Sequence, residues 1–266
     1  MVDGMARSRS RSPRRQDRPA LACVLFGGPA SGKTSLGDRL QARLPGFCHI
    51  SCGDLARLVT EHQGSPLLRN IAKQLADRRR RKVAFARLVA VVTGVIANGL
   101  SSTAGIGGII VNGLRPGDLP AFQIAVGVKC MALIKLDCPK EVMLARLKSR
   151  EQREGDARLG LGDMDDARRV DAYLEREAAE TEILGAEAAL RTFFALDTTA
   201  PIEDVAAEAL RRLSAFAESL GAAGQEAQRA MLLEQVPAID WPDQISRTAA
   251  ALDREFHPDG KPRQSP

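Results

Sequence analysis

The 266-residue sequence predicts an α/β protein in which a five-stranded parallel sheet is flanked by helices. Two observations predict this class. Short apolar segments alternate with helix-patterned segments, an order typical of parallel sheets covered on both faces. A glycine-rich loop joins the first apolar segment to the first helix, at the end of the sheet where such folds bind ligands. The five predicted strands are residues 21–26, 47–50, 109–111, 131–136 and 192–196.

The first strand and the first helix are the most regular part of this pattern. Residues 21–26 are all apolar and are followed by glycine, as expected for a strand buried on both faces. Leu36, Leu40 and Leu44 recur every fourth residue, which indicates an amphipathic helix, and Pro45 ends it. Later helices are predicted after the second strand and at 66–76, 83–97, 139–150, 165–188 and 202–217, with a glycine/serine loop at 101–108.

The chain divides into three parts. Residues 1–19 hold six arginines and an Arg/Ser run of low complexity, which predicts a disordered basic tail. Residues 20–220 are expected to form the α/β domain. The apolar pattern loosens after Leu220, so we expect a partly helical C-terminal extension at 221–266. It is predicted to begin with a small-residue linker at 221–224, followed by helices at 225–236 and 244–256.

The loop after the first strand lies within the segment LFGGPASGKTSL. Residues 27–34 fit the pattern G-x-x-x-x-G-K-[ST], known as the P-loop. Glycines let backbone N–H groups approach phosphate oxygens, and the helix N-terminus adds partial positive charge. Lys33 is expected to reach the β and γ phosphates, and the Thr34 hydroxyl to face a magnesium ion. A tight turn without a ligand is the alternative, but the strand–loop–helix context favours phosphate binding.

Charge and composition disfavour nucleic acid as the main partner. The formal net charge is +5, but residues 1–19 account for most of it, and only 4% of residues are aromatic, too few for base-stacking platforms. The basic tail alone is a candidate RNA-binding arm, nuclear address or phosphorylation target. The alternative is a solvated tail without such a role.

The cysteines and the apolar segments indicate the compartment. Five scattered cysteines suit reduced, buried thiols inside a cell. We see no signal-peptide core and no apolar run near the length of a membrane span. A cytoplasmic protein is therefore expected, with a nuclear location open through the tail. A metal site at residues 48–52 is disfavoured, because no second Cys/His pair lies nearby.

A set of arginines accompanies the P-loop: Arg57, Arg115, Arg146, Arg150, Arg158 and Arg169. Arg146 and Arg150 are four residues apart on one predicted helical face, where like charges repel unless an anion lies between them. Arg158 lies in a glycine-rich segment that could move as a flap. Taken singly, each arginine is typical of a surface. Together they suggest a site that neutralises both a phosphoryl donor and a phosphorylated acceptor.

Several motifs together resemble one family. HISCGDLAR at residues 49–57 is similar to a specific H-I-S-T/A-G-D-L-L-R signature, GGPASGKTS to GGPGSGKGT, and LARLKSR at 144–150 to R-L-x-x-R. IIVNGLRP, GSPLLRNIAKQL and FFALDTTAPIEDV stand where the same family has related segments. Over about residues 20–217 the chain therefore resembles nucleoside monophosphate kinases of the adenylate kinase and UMP-CMP kinase family. That likeness implies a P-loop NTPase fold, with a helical monophosphate-binding insertion at about 51–100 and a short lid at about 151–165. It also implies a monomer, because the family is mostly monomeric.

The resemblance also implies roles for individual residues. ATP would be the phosphoryl donor and Mg²⁺ its partner, with Thr34 as the protein's metal ligand and Arg146 stacked on the ATP base. The ATP phosphates would be cradled by Gly28, Pro29, Ala30, Ser31, Gly32, Lys33, Thr34 and Ser35. The nucleoside monophosphate would be held by Ser51, Cys52, Gly53, Arg57, Arg115 and Gln123. The catalytic cations would be Lys33, Arg115, Arg150, Arg158 and Arg169, with Tyr173 four residues beyond the last of them.

Some positions depart from the family pattern. Asn112 stands where the family has an aspartate that holds magnesium-bound waters. Gly160 and Leu161 occupy the place of a lid aspartate pair, and Arg115 precedes its proline instead of following it. The base-reading glutamine is out of register, and Gln123 is the nearest candidate. These changes leave ATP binding in place and put the reaction rate and the choice of base in doubt.

The expected activity is reversible transfer of the ATP γ-phosphoryl group to a nucleoside monophosphate, either AMP or UMP/CMP. The main alternative is a degenerate kinase fold that binds nucleotide and acts as a scaffold, which Asn112 and the altered lid favour. A kinase of another small molecule also stays open. A GTPase is disfavoured, because the sequence lacks N-K-x-D and a strand ending in D-x-x-G.

Overall fold

A computed structural model describes residues 19–62, 64–77, 79–128, 130–149, 165–187, 192–232, 236–256 and 262. Within them, five parallel strands form one sheet in the order β2-β3-β1-β4-β5. The predicted α/β fold is confirmed, and each strand is one or two residues longer than predicted. The strands are β1 (Leu21–Gly27), β2 (Phe47–Ser51), β3 (Gly108–Asn112), β4 (Cys130–Asp137) and β5 (Thr192–Asp197).

Helices cover both faces of the sheet. They are α1 (Lys33–Arg43), α2 (Cys52–Glu61), α3 (Pro66–Ala76), α4 (Arg81–Ser102), α5 (Leu119–Val126), α6 (Lys140–Lys148), α7 (Asp166–Glu187), α8 (Ile202–Ser219), α9 (Ala222–Met231) and α10 (Trp241–Glu255). A short 3₁₀ turn, Pro116–Asp118, precedes α5.

The central strand β1 divides the core into two halves. Leu21, Cys23 and Leu25 pack on one face with residues of α1, α8 and α9. Ala22 and Val24 pack on the other face with residues of α2 to α5 and of α10. All five side chains are fully buried, and each large aliphatic side chain so buried contributes about 1.5–3 kcal/mol to stability. The wholly apolar sequence of β1 is explained by this burial on both faces.

Helix α4 is longer than the predicted 83–97, because its last turn is held by distant parts of the chain. Leu100 is 3% exposed, and the Trp241 ring lies directly over Gly99. These contacts outweigh the low helix propensity of glycine and serine, so Ser101 and Ser102 finish the helix instead of starting a loop. By length and composition alone α4 could cross a membrane, which the sequence reasoning overlooked; here it packs against α2, α3, α5 and α10.

The predicted linker at 221–224 is wrong. Only Leu220 and Gly221, the latter at φ 57°, separate α8 from α9, which begins at Ala222. A Cβ at Gly224 would collide with the carbonyl oxygen of Ala217, so glycine there permits close helix packing rather than a flexible connection. Residues 222–231 and 241–255 are helical parts of the core, since both α9 and α10 contribute buried side chains to it.

Two helix starts carried local signals that periodicity alone missed. Helix α5, which was not predicted, has Pro120 in its first turn and ends at Gly127 with φ 70°, the usual placing of these residues. Helix α10 begins three residues earlier than predicted, because the Asp240 side chain accepts a hydrogen bond from the Asp243 backbone N–H at 3.1 Å.

Candidate active site

The carboxyl ends of β1, β2 and β3 meet at one edge of the sheet. Leu25 on β1 is in register with Asn112 on β3, which is in register with Ser51 on β2. The loop after β1 therefore lies beside the start of α2, and a cleft of about 570 Å³ opens between them. Among the predicted site residues, the cleft brings together 29–35 of the loop, Ser51, Gly53, Arg57, Arg146 and Arg169.

The P-loop wraps around the side chain of Lys33. The Lys33 ammonium donates to the carbonyl oxygens of Gly27 at 2.8 Å and Gly28 at 2.6 Å, and to Ser31 Oγ at 3.3 Å. Gly32 is the N-cap of α1 at φ 96°, a conformation that favours glycine, and it brings no capping side chain. The N-terminus of α1 thus has no side-chain cap from its N-cap residue, and residues 33–35 at this end of the helix line the cleft, which suits an anion.

Two glycines of the loop are required for close approach. A Cβ at Gly27 would lie 2.9 Å from the Leu136 carbonyl oxygen. A Cβ at Gly28 would collide with Met143 and would lie 2.9 Å from the Tyr173 ring. Gly28 is therefore needed for packing under α6 and α7, and it does not line the cleft itself.

Residues of α2 form the opposite wall. Ser51 caps α2 by accepting a hydrogen bond from the Asp54 backbone N–H at 3.3 Å. Arg57 lies one turn along the helix, paired with the Asp54 carboxylate, and only 14% of its side chain is exposed. Gly53 leaves open space between them, since a Cβ there would meet Arg57 only at 3.9 Å. This wall offers one guanidinium group and a helix N-terminus to a ligand.

The third wall combines α6, α7 and the segment after β5. Arg146 donates to the Thr198 carbonyl oxygen at 2.6 Å and to Cys138 Sγ at 3.7 Å. Arg169 lies 3.7 Å from the Asp166 carboxylate. Thr198, Ala200 and Ile202 also line the cleft and were missed by sequence reasoning. The sequence signal that could have found them is their position, because they follow the carboxyl end of a parallel strand, where ligands bind in such sheets.

Other predicted residues lie elsewhere. Arg115 is over the Phe85 ring, with 4.5 Å from Cζ to the ring centre, and neither it nor Gln123 on α5 lines the cleft. The Cys52 side chain is in the core, where burial, helped by the charge of Asp118, raises the pKa of its thiol to about 12. Arg150 and Arg158, like residues 151–164 of the predicted lid and residues 1–18 of the basic tail, lie outside the described residues.

The donor groups suit Mg²⁺ held mainly by phosphates. Among the described residues, no group of three or more His, Cys, Asp or Glu side chains could bind a metal ion. Mg²⁺ in phosphoryl-transfer sites takes one or two protein ligands and completes its shell with phosphates and waters. The Thr34 hydroxyl meets that requirement, with the Asn112 amide nitrogen 3.4 Å away.

Comparison with known proteins agrees with this geometry. Residues 24–181, more than half of the chain, match the family model described as AAA domain. Adenylate kinases from two strains of Xylella fastidiosa are 32% identical over 142 residues, which is 51% of this chain and 71% of each relative. The protein is a P-loop kinase. Within that class, the chain belongs to the AAA domain family.

Solved structures were also compared. A sugar kinase from Janibacter sp. aligns over 77% of this chain and 98% of its own, with 18% identity and a TM-score of 0.42. A gluconokinase from Sinorhizobium meliloti gives 76% and 97% coverage, 18% identity and the same TM-score. Shikimate kinase from Acinetobacter baumannii gives 74% and 93% coverage, 17% identity and a TM-score of 0.45.

Proposed function

We propose that the protein transfers the γ-phosphoryl group of ATP to a nucleoside monophosphate, giving ADP and a nucleoside diphosphate. The observation that carries this proposal is the single cleft that joins the P-loop to Arg57, Arg146 and Arg169. A P-loop alone accommodates one nucleotide triphosphate. With Arg146 assigned to the donor base, the guanidinium groups of Arg57 and Arg169 around the same space suit a second phosphate-bearing substrate.

The donor would bind at the P-loop wall. The N–H groups at the start of α1 would hold the β and γ phosphates. Lys33 would turn from the Gly27 and Gly28 carbonyl oxygens, where it lies in this structure, toward the transferring group. Arg146 lies beside the segment after β5, where it would stack on the adenine ring.

The acceptor would bind at the α2 wall. Its phosphate would meet Arg57 and the backbone near Ser51 and Gly53, and one of its oxygens would attack the γ-phosphorus directly. No covalent intermediate with the protein is needed, so the residues act by positioning and by neutralising charge. Arg169 would bridge the two phosphate groups. Roles for Arg115, Gln123, Arg150 and Arg158 stay predictions from the family resemblance.

Mg²⁺ would be held by Thr34 and the phosphates, and it would neutralise charge on the β and γ groups. Asn112 beside Thr34 carries no charge, unlike the aspartate expected from the resemblance. The relatives described as adenylate kinases support a nucleoside monophosphate as the acceptor. We infer a slower enzyme of this kind rather than a nucleotide-binding scaffold, because the cationic walls of the cleft are retained.

The test is product analysis with the purified full-length protein. Mg²⁺–ATP would be incubated with AMP, CMP, UMP or dUMP, and separately with hydroxyl acceptors such as gluconate and shikimate. With at least one monophosphate, chromatography should show transfer: two ADP for each ATP consumed with AMP, or equal amounts of ADP and the second nucleoside diphosphate with CMP, UMP or dUMP. Transfer only to a hydroxyl compound would instead assign a different small-molecule kinase. Tight ATP binding without any transfer would replace the proposal with a nucleotide-binding scaffold.

A further inference from the structure

A chain of side-chain hydrogen bonds runs from α1 to the cleft through His49. The His49 ring on β2 is only 5% exposed, and its Nδ1 lies 2.8 Å from Asp38 Oδ1. Its Nε2 lies 3.0 Å from the Asn112 side-chain nitrogen. The same Asn112 nitrogen is 3.4 Å from the Thr34 hydroxyl. Asp38 and Thr34 are both on α1, so the chain leaves this helix and returns to it beside the P-loop.

The chemistry of these groups defines their orientation. The Asp38 carboxylate only accepts hydrogen bonds, so the proton of a neutral His49 ring must be on Nδ1. Nε2 is then an acceptor, and Asn112 must present its amide nitrogen to it. His49 and Thr34 consequently both contact the amide nitrogen of Asn112, and neither contacts its carbonyl oxygen Oδ1. Asn112 is 3% exposed and lines the cleft.

The surroundings accommodate the imidazole ring. A Cβ at Gly37, which is buried on α1, would collide with the His49 ring. The side-chain oxygen of Gln41, one turn further along α1, accepts a hydrogen bond from the His49 backbone N–H at 3.3 Å. The ring therefore occupies a space left for it against α1, which limits its rotation. A satisfied, enclosed ring of this kind holds its partner in one orientation.

We propose that His49 is a positioning residue for the P-loop end of the cleft. Anchored by Asp38, it fixes the Asn112 amide so that its nitrogen supports the Thr34 hydroxyl. This positioning role rests on the proposed phosphoryl transfer only for its expected effect on kcat. It also accounts for the amide at position 112, because a carboxylate there could not donate to Nε2 and would require a doubly protonated ring between two carboxylates.

The first test is the ring tautomer in the ligand-free protein. Nitrogen NMR at about pH 8, above the range in which histidines generally titrate, distinguishes a proton on Nδ1 from one on Nε2. The sequence has three histidines, so a His49→Gln variant would assign the signal. A proton on Nδ1 alone is expected. A proton on Nε2, or a doubly protonated ring, would overturn the proposal.

The second test compares two substitutions at this position. His49→Phe fills the space but removes both hydrogen bonds, whereas His49→Gln keeps an acceptor that can reach Asn112. We expect His49→Phe to lower kcat about tenfold or more. In calorimetry, Mg²⁺ should raise the affinity of the wild type for ATP, and His49→Phe should lose most of that increase. His49→Gln should retain most of the wild-type kcat and most of the Mg²⁺-dependent increase in ATP affinity. His62→Phe, which replaces a histidine outside the cleft, is the matched control.

These readouts separate the two proposals. If phosphoryl transfer to nucleotides fails, the tautomer and the Mg²⁺-dependent gain in ATP affinity still test His49, because neither needs an acceptor. His49→Phe protein that binds Mg²⁺–ATP as the wild type does would overturn the positioning role. If that variant does not fold, the wild-type tautomer and His49→Gln still decide the question.

Discussion

The two ends of the cleft are held in place by different means. At the proposed donor end, strand, loop and helix lie within residues 21–43, and the hydrogen bonds that Lys33 Nζ donates to Gly27, Gly28 and Ser31 span at most six residues. Beside α2, the proposed acceptor wall, helices α3 and α4 are braced by α10, which lies more than a hundred residues later in the chain. Asp253 accepts hydrogen bonds from Ser65 Oγ at 3.0 Å and from the Leu67 N–H at 3.1 Å.

Further contacts of α10 extend this brace. Asn98 on α4 donates to Thr248 Oγ1 at 3.0 Å, and Trp241 covers Gly99. The donor end is therefore specified locally, and the acceptor end depends on contacts made only when the whole chain has folded. Substitutions at the donor end should change chemistry with little loss of stability, and substitutions in the brace should do the opposite.

The largest effect is expected from Lys33→Met. Removing the ammonium takes away a cation aimed at the transferring phosphoryl group, which should lower kcat roughly 10²–10³-fold. The melting temperature should change by no more than a few degrees, because the loop keeps backbone hydrogen bonds such as that from the Ser31 N–H to the Gly28 carbonyl when the three hydrogen bonds of Lys33 are lost. Lys82→Met, at an exposed position on α4, is the control and should retain activity. A Lys33→Met enzyme with normal kcat would show that the donor phosphates lie elsewhere.

Arg57→Lys tests the acceptor wall. Lysine keeps the charge but loses the planar, bidentate geometry, so the acceptor KM should rise about tenfold to a hundredfold. The KM for ATP should stay close to that of the wild type. Steady-state kinetics with each substrate varied in turn would measure this separation. Arg247→Lys on α10 is the control, and equal changes in both KM values would argue against two separate subsites.

Asp253→Asn probes the brace. The variant weakens the cap on α3, which should lower the free energy of unfolding by about 1 kcal/mol. Urea unfolding followed by circular dichroism measures this change, and Glu255→Gln, exposed on the same helix, is the control. Stability lost equally in both variants would indicate a general effect of charge on α10 rather than the cap.

The smallest effect is expected at the P-loop itself. Ala30 has φ 53°, a conformation that costs a non-glycine residue about 1–2 kcal/mol. Ala30→Gly should relieve this strain and, after the entropic cost of glycine, raise stability by about 0.5 kcal/mol. Thermal unfolding of Ala30→Gly beside Ala104→Gly, where φ is negative, would show the contrast. A loss in both variants would mean that the strain is absent.

The donor end could be predicted from the sequence almost completely. Its signals all depend on residues that are close together in the sequence. They are the apolar run of β1, the spacing of Leu36 and Leu40, and the pattern that ends in Lys33 and Thr34. Backbone periodicity and glycine conformations act over a few residues, so such a pattern determines its own geometry. The same reasoning reached Arg57 and Arg146, because each lies one or two turns into a helix that follows a strand.

Elsewhere sequence patterns were insufficient. Residues 222–224 of the predicted linker are helical because Gly224 packs on Ala217, and α4 extends to Ser102 because Trp241 covers Gly99. Neither contact has a local signal. Arg115 and Gln123 were assigned by family spacing, and the structure places them away from the cleft lining.

By itself, the sequence determined the α/β class, the strands and the phosphate-binding loop, because these depend on hydrophobic periodicity and on local backbone conformation. Only the tertiary structure decided that α10 braces the acceptor end and that His49 links Asp38 to Asn112. Both arrangements join residues that are distant in sequence, and they exist only once burial has brought the elements into contact.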